Sequence, residues 1–433
     1  MEKTTPRILF AISDTGGGHR AGALAIKAAV ELLAGAEVEC HIVDMLTETG
    51  LPIVRDAPVL YNGLSTRWLP AYDFFFQLTN GRRRVDALTG LAYLGAHRNI
   101  LRVMEGVRPT LVVSVHPLVN RFIGHARRTY RLSFRFVTVV TDLVSLHASW
   151  ADPDAELCVA PTDEAFERLV SEGVPRGKMA RTGFPVHPKF TTFSQTREEA
   201  RAAIGADLEP FTVLLTSGGV GSGNMGQVVR ELNAAYPHAQ LLVVTGRNTA
   251  LRQELEAQGL GRNVYVYGFV DNMEQLMAAS NIVITKAGPG TLMEALVMRR
   301  PVIVTQAVGM QERGNIDFVL NHELGAFCPT TDRIVPAVAE LMKPDIYTAT
   351  VARLDDAVPR DGAEQIARIL LDELRLAPPV RQSRLRLPSI AVLRQISAEG
   401  LRLPRARRPL LKPNKLWLPR VRPLDRWRRL RRP

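Results

Sequence analysis

Short, nearly unbroken apolar runs alternate along this chain with longer stretches whose apolar residues recur every three or four positions. RILFAIS at 7–13 is of the first kind, and AGALAIKAAVELLA at 21–34 is of the second. Further runs lie at 37–44 (EVECHIVD), 110–115 (TLVVSV) and 134–141 (FRFVTVVT). The series then starts again at 211–219, 240–246, 264–269, 281–288 and 301–307. A strand that is apolar on both faces is one covered from both sides, which is the state of a parallel sheet between two layers of helix. The alternation predicts an α/β chain, and two series predict two doubly wound, Rossmann-like domains. The break falls near 185–210, where PVHPKF gives way to a charged helix and Pro210. The expected units are 1–190, 205–375 and a remainder, 376–433, that follows neither rhythm.

Charge sharpens that division. The chain has 433 residues and a net charge of +12, but 376–433 holds 17 Lys and Arg against 2 acids. That segment therefore carries +15 and the rest −3, so the basic character belongs to a tail and not to the two domains. Repeated prolines break any helix there, and the composition predicts a disordered or membrane-associated tail. The three cysteines, Cys40, Cys158 and Cys328, are far apart and form no CxxC pair. They predict neither a disulfide scaffold nor a zinc site, and they suit a reducing compartment. No signal-peptide core and no transmembrane run is read from the sequence, so membrane contact is expected to be peripheral.

Four motifs carry chemistry. SDTGGGHR at 13–20 ends the first strand and opens the first helix. Its glycines, Gly17 and Gly18 among them, let the backbone approach a ligand, and His19 beside them has the chemistry of a general base toward a hydroxyl. The glycines alone also suit a tight strand–helix turn. SGGVGSGN at 217–224, with Gly218 and Gly219, can present N–H groups to a phosphate, though many α/β loops are glycine-rich. TKAGPGTLMEAL at 285–296 places Pro289 at a helix start fit to hold a diphosphate. Glu294, with two acceptor oxygens, suits a ribose diol, although an acid in an early helical turn is also dipole-favourable by itself. GMQERGN at 309–315 puts Gln311 and Asn315 on one helix face, suited to sugar hydroxyls or simply to a polar helix start.

In this order the motifs resemble those of the monogalactosyldiacylglycerol synthases and related diacylglycerol glucosyltransferases, kin to the peptidoglycan N-acetylglucosaminyltransferases of lipid-linked precursors. SVHP at 114–117, TVVTDL at 138–143 with His147 and Trp150, and TGFPVHPKF at 182–190 are similar to the family's middle blocks. TGRN at 245–248 and YGFVDNMEQLM at 267–277 resemble its donor domain, and the resemblance runs from about 7 to 373. It implies a GT-B fold and metal-independent, inverting transfer from a UDP-sugar to diacylglycerol, with no cofactor. His19 would be the base. Gly268, Phe269 and Val270 would hold the uracil, with Arg247 and the glycines at 218 and 219 also on the donor side. Gly288, Pro289, Gly290 and Thr291 would hold the diphosphate, and Glu294 the ribose. Gln311, Glu312 and Asn315 would face the sugar. Gly17, Gly18, His116, Asp142 and His147 would line the acceptor side.

Two departures lie near the donor sugar. Val220 stands where the family's glycine loop carries a Glu, and Val308-Gly309-Met310 stands where it carries a Pro-Gly. Galactose and glucose therefore both remain open as the donor sugar. On the membrane side, 58–84 concentrates six aromatics ahead of Arg82, Arg83 and Arg84, suited to the headgroup level, or to an aromatic helix in a core. With the tail, 378–433, it predicts contact with anionic lipids on the cytoplasmic face of a membrane. Two other readings stand beside this one. One is a related transferase acting on another lipid-linked acceptor. The other is a non-catalytic nucleotide-sugar-binding protein, or a nucleic-acid-binding one tethered by its tail. The body charge of −3 speaks against nucleic acid, which is not expected as a partner.

Overall fold

The computed structural model describes residues 5–14, 18–51, 80–216, 224–307 and 309–377. The aromatic part of 58–84, the tail from 378, and Gly17, Gly218 and Gly219 lie outside these residues. The first sheet holds β1 (Arg7–Ile12), β2 (Glu39–Asp44), β3 (Leu111–Ser114), β4 (Arg135–Val139), β5 (Leu157–Ala160) and β6 (Met179–Arg181). The second holds β7 (Thr212–Thr216), β8 (Gln240–Val244), β9 (Val264–Tyr267), β10 (Ile282–Thr285), β11 (Val302–Val304) and β12 (Gly325–Phe327). Their orders are β2-β1-β3-β4-β5-β6 and β12-β11-β10-β7-β8-β9. Every strand pairing is parallel.

The predicted α/β class and its two parallel sheets are therefore present. Ile8 to Ile12 have no exposed surface, because helices cover the first sheet on both sides. The strands at 157–160, 179–181 and 325–327 are not among those the apolar runs predict. Two of these, β6 and β12, are three-residue edge strands, too short to show a period of their own.

The order of strands reverses between β1 and β3 in one sheet and between β7 and β10 in the other. Ligands of doubly wound sheets gather at the carboxyl ends of strands at such points. The helices that begin there are α1 (Gly18–Ala34) after β1, α2 (Pro117–Tyr130) after β3, and α3 (Pro289–Val297) after β10. After β11 comes α4 (Gly309–Asn321).

The last helix, α5 (Gly362–Arg375), departs from the expected boundary. Its sequence position assigns it to the second domain, yet Ala363, Ile366, Ala367 and Leu370 pack into the first-domain core with Ile8, Phe10 and Ile26. Arg135 on β4 forms an ion pair with Glu373 at its far end. The crossing is tight: a Cβ on Gly362 would stand 2.6 Å from the Phe184 carbonyl oxygen. In the other direction Phe184, Val186 and Phe190 pack with second-domain residues such as Leu214 and Leu296. The two chain crossings thus run side by side and hold the domains together. An amphipathic helix announces that it has a buried face, but not which sheet it covers.

Candidate active site

His19 is the second residue of α1 and is almost buried, at 9% exposure. Its Nδ1 lies 2.9 Å from Thr141 Oγ1, at the end of β4. That approach depends on Gly22 one turn later, where a Cβ would come within 3.1 Å of the Thr141 methyl. The His116 ring stands edge-on to His19 at 4.6 Å, and the Trp150 ring lies at 6.2 Å. His116 is in place because it precedes Pro117, the first residue of α2.

Burial disfavours the protonated form of each imidazole in this cluster. Burial holds the His19 pKa below its ordinary value, with Asp142 pulling against that shift and the Val115 backbone carbonyl doing the same. His116 is held well below the ordinary range by burial, then by the nearby His19 and His147. His147 is pushed to about 4 by burial and by the Arg121 guanidinium. A neutral imidazole is the form that accepts a proton. Asp142 is 4% exposed and accepts from the buried Trp150 indole, Nε1 to Oδ2 at 2.6 Å. His147 is engaged locally, its Nδ1 within 2.7 Å of Ser149 Oγ.

The facing half of the cleft comes from the second domain. Gly288 precedes Pro289, so no cap side chain occupies the first N–H groups of α3. A Cβ on Gly290 would meet nothing within 4 Å, so there is open space at the helix start. Glu294, one turn in and half-buried, has its pKa raised to about 7. Burial is the main cause, Lys189 opposes it and Glu274 adds to it. Lys286 Nζ lies 3.9 Å from Glu312 Oε1, between the α3 start and α4. In the turn at 268–270, Phe269 is 67% exposed while Val270 packs into the core. The Arg247 guanidinium sits 5.5 Å over the Phe269 ring.

Asn315 differs from its expected part. It is 3% exposed, and its Nδ2 donates to the Ala287 carbonyl at 2.8 Å. Its amide nitrogen thus braces the loop before α3. The backbone of Gln311 lies in α4, while its side chain is outside the described residues.

The two halves meet. A Cβ on Gly18 would stand 3.4 Å from Pro289 Cγ, so the start of α1, which carries His19, abuts the start of α3. Gly314 on α4 lies against Ser145, where a Cβ would fall 2.6 Å from the backbone nitrogen. His322 and Glu164 join the domains again at 2.8 Å. A cavity of about 310 Å³ opens at the ends of β7, β11 and β12, lined by Thr216, Asn224, Thr305, Gln306 and Thr330 among others. It borders the chain leading into the second glycine loop. Among the described residues no group of His, Cys, Asp or Glu is arranged to hold a metal ion. No described helix is long and apolar enough to cross a membrane.

Thr141, Lys286 and Lys189 also stand in this cleft, and the sequence pattern assigns them no role. A Thr at a strand end reads as core, and only the strand order brings it to α1.

Two Rossmann-like domains closing on such a cleft define the GT-B architecture, which solved structures share. A glycosyltransferase of kitacinnamycin matches with a TM-score of 0.57 at 14% identity, covering 86% of this chain and 100% of that one. MurG of Acinetobacter baumannii matches with a TM-score of 0.53 at 14% identity, covering 85% and 99%. A UDP-GlcNAc 2-epimerase of Neisseria meningitidis matches with a TM-score of 0.53 at 15% identity, covering 86% and 100%, so the fold alone does not choose the reaction. Sequence comparison does more. Residues 19–186 match the monogalactosyldiacylglycerol (MGDG) synthase family model, and 212–307 match the glycosyltransferase family 28 C-terminal domain. The chain is 32% identical over 354 residues to the chloroplastic monogalactosyldiacylglycerol synthase of Spinacia oleracea, covering 79% of this chain and 68% of that protein. It is 31% identical over 351 residues to monogalactosyldiacylglycerol synthase 1, chloroplastic, of Arabidopsis thaliana, covering 78% and 65%. The chain belongs to the monogalactosyldiacylglycerol synthase family.

Proposed function

We propose that this chain transfers a hexose from a UDP-sugar to the free hydroxyl of diacylglycerol, with inversion at the anomeric carbon. The observation that carries this reading is the seam where Gly18, the residue before the buried His19, meets the Pro289 end of α3. A base and an anion-holding helix start stand on opposite sides of one cleft, as a single displacement requires. The acceptor hydroxyl gives its proton to His19 as its oxygen attacks the anomeric carbon. The bond from that carbon to the UDP oxygen breaks, and the electron pair leaves on the diphosphate. The α3 N-terminus and Lys286 stabilise that charge, and no metal is assigned to the step. Glu294 takes the ribose diol, and the exposed Phe269 face with Arg247 takes the uracil.

The enzyme works as a peripheral protein on a membrane. Segment 58–84 and the tail at 378–433 supply aromatics and arginines for anionic lipid. The free Cys40, Cys158 and Cys328 accord with the reducing, cytoplasmic face.

The test is turnover of the purified full chain on vesicles of diacylglycerol with anionic lipid, given UDP-galactose and UDP-glucose separately, with and without chelator. Glycolipid of inverted configuration from one donor, unaffected by chelator, is expected. No glycolipid from either donor, with protein that binds UDP, would overturn the acceptor assignment. A folded His19→Ala enzyme should lose about 10²–10⁴ in kcat, the usual contribution of a general base.

A further inference from the structure

We infer that Thr141 is a positioning residue for His19, accepting the Nδ1 proton of the ring so that Nε2 is left free to take the acceptor's proton. The inference rests on the reading of His19 as the base.

An imidazole accepts a proton only at its unprotonated nitrogen, so a neutral histidine base must be held in one tautomer. His19 Nδ1 has Thr141 Oγ1 at 2.9 Å. A threonine hydroxyl has two lone pairs and one proton, so it can accept from Nδ1–H. The threonine is fixed in turn: it is 1% exposed, and its methyl lies under Gly22 of the same helix that carries His19. The Val115 side chain packs there too, with a methyl 3.7 Å from where a Gly22 Cβ would be. Methyl and hydroxyl therefore divide the work. The methyl seats α1 on the sheet, and the hydroxyl meets the ring three residues earlier. A valine would keep the first contact and lose the second.

The experiment compares Thr141→Val, Thr141→Ser and His19→Ala in the full chain, reading kcat and KM across pH. Thr141→Val is expected to lose about ten- to a hundredfold in kcat, part of what a general base supplies, with KM for the UDP-sugar unchanged. Its acid limb should move to lower pH, since the protonated ring loses an acceptor. Thr141→Ser should keep kcat within about threefold, because the hydroxyl is retained. Nitrogen-15 NMR of the imidazoles, with His19 assigned by its loss in His19→Gln, should show a protonated Nδ1 and a bare Nε2 in the unsubstituted protein, whether or not the valine variant folds.

An unchanged plateau and limb in Thr141→Val, with His19→Ala inactive, would overturn the Thr141 role alone. So would a serine variant as impaired as the valine one, or a protonated Nε2 in the spectrum. An active His19→Ala enzyme would remove the base assignment, and this inference with it.

Discussion

Trp150 donates its indole Nε1 to Asp142 Oδ2 at 2.6 Å, and both side chains are buried in the wall that faces His19. Asp142 is thus an electrostatic partner of His19. It raises the His19 pKa while burial lowers it. Removing its charge in Asp142→Asn should lower that pKa further. The acid limb of kcat then moves to lower pH, and the plateau falls because a less basic imidazole takes a proton less readily. Trp150→Phe should move the limb the same way by less, since the carboxylate stays but loses its anchor. A limb moving to higher pH in either variant would contradict the assignment.

Glu294 gives a prediction with two readouts. Its pKa of about 7 is raised mainly by burial, so the folded protein favours the protonated acid relative to the unfolded chain. A group shifted up contributes stability that is complete below its unfolded value and lost as pH rises through the folded one. Glu294→Gln should therefore leave stability unchanged near pH 4 and raise it above pH 7. At 1.36 kcal/mol per pKa unit, discounted for partial exposure, the gain is about 1–3 kcal/mol. If the carboxylate holds the ribose diol, UDP affinity of the unsubstituted protein rises with pH through about 7. The glutamine variant loses that rise and binds less tightly. Thermal melts and calorimetric titration across pH check both, and a glutamine variant destabilised at pH 8 would contradict the first.

What was legible beforehand follows from the range over which each signal acts. The buried strands β1, β3, β7 and β10 are continuous apolar runs, and glycine-bearing motifs follow three of them, β1, β7 and β10, directly. Runs and motifs of that kind are local, so composition and order convey them. Thr141 and Gly22 are 119 positions apart in sequence, and their contact exists only because β4 lies two strands from β1. Asn315 is a polar residue one turn from Gln311, and nothing in the spacing says that its amide turns inward to Ala287. The same limit applies to α5, whose partner sheet lies more than 350 positions upstream at β1.

That helix can be tested directly. Leu370 has no exposed surface and packs with the first-domain core. Leu370→Ala should destabilise by about 2–5 kcal/mol, the range for a buried leucine replaced by alanine. Hydrogen exchange should show the loss in β1, β3 and β4, which α5 covers, before it shows in β8 and β9. Loss confined to the second sheet would return α5 to the domain its sequence position assigns.

The tail prediction turns on charge. Residues 376–433 carry +15 while the remainder carries −3, so attraction to an anionic surface should come mainly from the tail. Each cation close to such a surface is worth about 1 kcal/mol, and a third of the 17 would give roughly 5 kcal/mol before ordering costs. Ordering a proline-broken segment removes part of that, so deletion of 378–433 should weaken binding to phosphatidylserine- or phosphatidylglycerol-containing vesicles by at least about tenfold. The difference should shrink as salt is raised from 0.05 to 0.5 M, because the screening length falls. UDP binding should be unchanged, since Gly288, Glu294 and Phe269 belong to the folded second domain. Equal vesicle binding with and without the tail at low salt would dismiss it as an anchor and leave 58–84 to carry the contact.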